Sequence, residues 1–89
     1  MIKPRLVLTR DDGQTKTVKH GRRWLEQATG ETSPQARAWS ANRITSLCVT
    51  GDPGDWRVSV LWRLSMKLQA QQMAAGHIIK LTRGRGGVS

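Results

Sequence analysis

The sequence predicts a small α+β domain, and three observations carry that prediction. Near the start, two short β-rich runs flank an Asp-Gly turn. Farther on, twenty residues from Trp56 to Ala75 pass without Gly or Pro. After them, the apolar run Ile78-Ile79 leads into a basic, glycine-rich end. At 89 residues the chain has room for one domain only. A domain of this size buries a modest share of its surface, so it has little stability to spare.

The first element is a hairpin. Arg5–Arg10 is rich in β-branched and aliphatic residues, and Thr15–Lys19 alternates with period two. Asp11-Asp12-Gly13-Gln14 lies between them, and Asp-Gly is a strong short turn signal. Arg22–Ala28 follows as a helix stopped by Gly30, with Trp24, Leu25 and Ala28 on one face. Ser33-Pro34 then opens a second helix, since Ser is a good N-cap and Pro fits the first helical position. That helix is expected to run from Pro34 to about Leu47, with Ala38, Trp39 and Ala41 or Asn42 near its buried side. Its end stays open, because Ile44–Thr50 is β-branched enough to be a strand.

Gly51-Asp52-Pro53-Gly54 is the plainest turn in the chain, and Asp55 offers an N-cap behind it. The next stretch supports two readings. With Gly76 placed just past a helix end, the boundaries favour one helix of about five turns. The interior favours a strand for its first half. Apolar residues recur at Trp56, Val58, Val60, Trp62, Leu64, Met66 and Leu68, with only Leu61 breaking the alternation. A hairpin of Ile44–Thr50 with Trp56–Trp62 would then form across the Gly-Asp-Pro-Gly turn. Leu64–Ala75 is helical on either reading. His77–Thr82 reads as a short strand, and residues 83–89 as a flexible basic Gly/Arg tail or wing beyond a domain of residues 1–82.

Charge is the main functional signal. Fifteen Lys and Arg face six Asp and Glu, for a net +9. Every acid lies at or before Asp55. Residues 56–89 hold six bases and no acid, and residues 1–55 hold nine bases against six acids, or +3. Self-repulsion of this kind opposes folding unless an anion relieves it, which points to a polyanionic partner. Nucleic acid comes first, an acidic protein second and a membrane surface third.

Catalytic and metal chemistry find little support. Asp11-Asp12 and Asp52 with Asp55 sit where turns and caps use carboxylates. His20 and His77 have no adjacent carboxylate to orient them, and no Cys/His cluster has metal-ligand spacing. The expectation is a protein without enzymatic activity, metal or cofactor. Cys48, between Leu47 and Val49, reads as a small buried hydrophobe. With no Phe or Tyr, any base-stacking platform must be a tryptophan, but Trp39, Trp56 and Trp62 sit in apolar patterns and read as core. No apolar run follows Met1-Ile2-Lys3-Pro4, and no stretch is long enough to span a membrane, so a cytoplasmic location is expected.

A helix ending in Met73-Ala74-Ala75-Gly76, then His77-Ile78-Ile79-Lys80-Leu81 and the basic glycine run Arg83–Gly87, resembles the end of a winged helix-turn-helix domain. The resemblance covers about Arg57–Gly87. It implies a winged-helix-like α+β fold with an added amino-terminal hairpin, and a DNA-binding role as a small regulator or accessory factor. It would place Arg57, Arg63 and Lys67 on the recognition helix and Arg83 and Arg85 in the wing. Two departures stand against it. Only Val88 and Ser89 remain for a return strand, and the hairpin is extra to the simple pattern.

The basic residues point the same way by themselves. Arg63 and Lys67 are spaced i, i+4 and share a helix face, while Lys80, Arg83 and Arg85 follow in the strand and tail. The expected nucleic-acid-binding set is therefore Arg57, Arg63, Lys67, Lys80, Arg83 and Arg85. Duplex DNA is the favoured partner and a homodimer is allowed, since many such readers bind paired half-sites. Two alternatives stay open: an RNA-binding protein, and a small inhibitor of phage or mobile-element type that occupies a protein partner.

Overall fold

The computed structural model describes residues 3–30 and 40–84. It is an α+β domain with a four-stranded sheet and two helices. In chain order these are β1 (Arg5–Arg10), β2 (Thr15–Val18), α1 (Gly21–Thr29), a single 3-10 turn (Ala41–Arg43), β3 (Ile44–Thr50), α2 (Trp56–Ala74) and β4 (Lys80–Gly84). The sheet order is β2-β1-β3-β4. The β1–β2 and β1–β3 pairs are antiparallel, whereas β4 runs parallel to β3. Strands that run parallel need a long connection, and α2 supplies it.

The expected hairpin forms, with Leu6 opposite Val18 and Leu8 opposite Lys16. On the other side of β1, the same Leu6 and Leu8 face Val49 and Leu47 of β3. Alternation then gives the sheet two unlike faces. Leu6, Leu8, Leu47 and Val49 point toward the helices and are fully buried. Each such side chain contributes about 1.5–3 kcal/mol of hydrophobic stabilisation. Val7, Thr9, Ser46, Cys48 and Thr50 take the opposite face and are half-buried. Cys48 is thus not the buried core residue its apolar neighbours suggested, because period two turns it away from Leu47 and Val49.

Helix α1 begins one residue before and ends one residue after the expected span, and Gly30 caps it. Leu25 is fully buried, with Trp24 and Ala28 packed against the core beside it. The expected helix from Pro34 to Leu47 does not extend through its second half. Ala41–Arg43 forms the 3-10 turn and Ile44–Thr50 is strand, as the β-branched composition allowed. Ser33, Pro34, Ala38 and Trp39 lie outside the described residues.

The two readings of Trp56–Arg63 resolve to helix. The Asp55 side chain accepts from the backbone N–H of Arg57 at 2.9 Å, closing the first turn. Val58, Leu61, Ser65 and Leu68 are buried at helical spacing. The apparent alternation was a coincidence of composition: two of its members, Trp56 and Met66, are exposed. No hairpin forms across residues 51–54, and the turn leads from β3 into α2 instead. At the far end, Gly76 (φ +87°) donates to Met73 and His77 donates to Gln72, a motif that needs the left-handed conformation glycine accepts.

Gly51 is the tightest of the described glycines. Its φ is +136°, and a Cβ there would lie 2.7 Å from Val58 Cγ2 and 3.1 Å from Pro4 Cα. Backbone conformation and space both require glycine where β3 turns toward α2. Strand β4 runs on past Thr82, so Arg83 and Gly84 belong to the sheet, opposite Val49 and Thr50, rather than to a tail. Residues 85–89 lie outside the described set. No helix among the described residues is long and apolar enough to cross a membrane.

Candidate nucleic-acid interface

The topology collects basic residues at one end of the sheet. Strand β1 starts there and β2, β3 and β4 finish there, as the pairing of Leu6 with Val18, Arg5 with Thr50, and Thr50 with Gly84 requires. Both helices follow directly from strands that finish at this end, so both begin here. Lys3, Arg5, Lys19, Arg22, Arg23 and Arg57 therefore gather around two helix N-termini, all of them exposed. Helix starts carry partial positive charge, which adds to the side chains. The first turn of α1 has no acidic residue, and its N-cap residue, His20, makes no side-chain capping bond.

Between the two helix starts lies a groove of about 460 Å3, lined by Pro4, His20, Arg22, Arg23, Trp56 and Arg57 among others. That volume falls in the range of small-ligand sites, about 300–1,000 Å3. Trp56 stands 65% exposed on its rim. This overturns its expected place in the core, and the signal was present in the sequence. With Asp55 as N-cap, Trp56 is the first helical residue and falls on the side opposite Val58 and Leu61. Trp62, also expected in the core, is only partly buried, and Trp39 lies outside the described residues.

Each expected contact residue has a definite place. Arg57 is tied to Asp55, with Nε 3.1 Å and Nη2 2.8 Å from its two carboxylate oxygens. These bonds, with the N–H of Arg57, hold the Asp55 carboxyl below its ordinary pKa. Arg57 thus acts within the turn more than toward a ligand. Arg63 and Lys67 are exposed on α2, and neither forms an ion pair with a described residue. At 3.6 residues per turn, Trp56, Arg63 and Lys67 lie within about 40° of one another and about 160° from the buried stripe. They form one outward line, with Trp56 and Lys67 about 16 Å apart along the axis. Lys80 is exposed at the start of β4, opposite Ser46, toward the other end of the sheet. The Arg83 guanidinium lies 4.3 Å from the centre of the Trp62 ring, a cation–π contact that leaves the residue exposed. Arg85 is outside the described residues.

The structure therefore brings Arg63 and Lys67 together and leaves Lys80 apart. The residues that composition alone missed are Arg23, His20 and the exposed Trp56. Only the strand order places them side by side. Among the described residues no group of His, Cys, Asp or Glu is arranged to hold a metal ion. His77 does structural work, its Nε2 donating to the Ile44 carbonyl at 2.7 Å. Compared with protein-family models, with curated proteins and with solved structures, this chain matches none of them.

Proposed function

We propose that this protein binds nucleic acid through the phosphate backbone, with duplex DNA as its main target, as a small regulator or accessory factor rather than an enzyme. The observation that carries the reading is the line of Arg63 and Lys67, unpaired among the described residues, on the outward face of α2, continuous with the basic end of the sheet. A buried cation would need an acidic partner. An exposed pair without one keeps its donors free for phosphate, Arg bidentately and Lys as a point charge. The winged helix-turn-helix resemblance would use the same helix, and here α2 meets the duplex by its outer face, with Arg83 serving from β4.

Binding of this kind releases counterions, so affinity falls steeply with salt. With four to six phosphates engaged, log K against log[salt] slopes at roughly −4 to −5. Titration of a blunt duplex at several salt concentrations measures that slope. A flat dependence, or no binding at low salt, overturns the reading and favours an acidic protein partner.

A further inference from the structure

We infer that the groove between the two helix starts receives one unpaired nucleotide, its base stacked on Trp56 and its phosphate held by Arg23. The inference rests on the nucleic-acid reading above and names the strand structure that reading leaves unspecified. Two independent observations support it. Trp56 is the most exposed of the chain's described tryptophans, although a domain of this size gains stability from every aromatic ring it buries. It borders a groove of nucleotide-compatible volume instead of open solvent.

The second observation is charge. Arg23 makes no ion pair with a described residue, while the neighbouring Arg22 reaches Glu26 only at 3.4 Å. Arg57 on the opposite wall is already held by Asp55. One wall therefore offers the free donors of Arg23 beside the paired Arg22 and Glu26, and the other offers a flat ring edged by the Asp55–Arg57 pair. This arrangement suits a ligand with an apolar, planar part and an anionic part. A nucleotide lifted from its stack has both, and a base within a duplex cannot reach the ring. The outward line from Trp56 to Arg63 and Lys67 then runs from the groove toward the phosphates of adjoining duplex. DNA and RNA strands share this chemistry.

The test compares a blunt DNA duplex with the same duplex carrying a short single-stranded overhang, made of DNA, of RNA or of abasic DNA residues. The wild type is expected to bind the base-bearing overhangs about tenfold more tightly than the blunt end, the scale of one base stacked on an aromatic ring. An abasic overhang, with equal charge, should lose that gain. Trp56→Ala should abolish the gain, so that overhang and blunt end bind alike, while Trp56→Phe keeps most of it. Unequal gains for the DNA and RNA overhangs would identify the natural strand. A gain that survives Trp56→Ala, or that the abasic overhang retains, overturns the inference while the duplex reading stands. If the blunt duplex does not bind at all, the proposed function fails. The base-bearing and abasic strands, offered alone, then decide the groove separately.

Discussion

The two ends of the sheet differ in how much of their positive charge is matched. At the hairpin end, acids and arginines are matched. Asp12 accepts from Arg10, Asp11 accepts from Arg43 at 3.1 Å, and Gln14 accepts from Arg10 at 2.8 Å. There the charged groups hold a turn in shape. At the end where both helices start, Arg22 meets Glu26 and Arg57 meets Asp55, but Lys3, Arg5, Lys19 and Arg23 make no ion pair with a described acid. Net charge is therefore a poor guide to where a basic protein can bind. What matters is which cations the fold has already used.

Breaking the basic end outright gives the largest effect. Gly51→Ala introduces a Cβ against Val58 and Pro4 at a positive φ, and should cost about 3 kcal/mol or more, through overpacking together with backbone strain. Urea denaturation measures it. Retention of wild-type stability would show that β3 and α2 can shift at this junction.

Charge reversal comes next. Arg63→Glu with Lys67→Glu should remove measurable duplex binding with an unchanged circular dichroism spectrum. Arg43→Gln, at the matched end, should change affinity by less than about threefold, as expected of a surface cation already neutralised by Asp11. Equal losses from both changes would mean a diffuse basic shell and would erase the contrast between the ends.

A smaller effect tests the core beneath α2. The Ser65 hydroxyl is fully buried and has no hydrogen-bond partner among the described residues. Ser65→Ala removes an unsatisfied polar atom and improves helix propensity, so stability should rise by about 1 kcal/mol. A lower melting temperature would reveal a partner for that hydroxyl.

The smallest effect belongs to the hairpin end and appears as a pH dependence. The hydrogen bond from Arg10, aided by the N–H of Gln14, lowers the Asp12 pKa from an ordinary 3.8 to about 2. A carboxyl depressed by folding contributes stability above its unfolded pKa and loses it as pH falls through the folded one. The contribution should therefore fade between about pH 4 and pH 2, and Asp12→Asn should flatten the stability profile in that window. DNA affinity near neutral pH should not respond to this substitution.

Much of the fold was legible in the sequence because local signals act alone. Asp-Gly places the hairpin turn, Gly30 stops α1, and Asp55 with Gly76 brackets α2. Trp56–Arg63 stayed open because alternation and helical spacing overlap in a run this apolar. The buried set Val58, Leu61, Ser65 and Leu68 decides for the helix, and its one polar member hid the stripe. Sheet order was not legible. β1 uses both edges, and nothing local says that β4 runs parallel to β3. The site divides in the same way. Arg63 and Lys67 followed from i, i+4 spacing, while Arg23 and Trp56 meet only once the strand order is known.

The parallel pairing of β4 has a kinetic consequence. β1 meets β2 across a turn of four residues, but β4 reaches β3 only after the whole of α2 has been laid down. Closing a long connection before any contact rewards it makes such a strand slow to dock and early to detach. Within β4, Ile79 at its threshold is fully buried, whereas Lys80 and Arg83 face solvent. Opening of this edge would lift Arg83 from the Trp62 ring while β1, held on both sides, stays closed. Amide exchange should thus proceed inward from the sheet edges, β4 among them, and reach β1 last, making β4, the last described strand, a cooperative unit easily released.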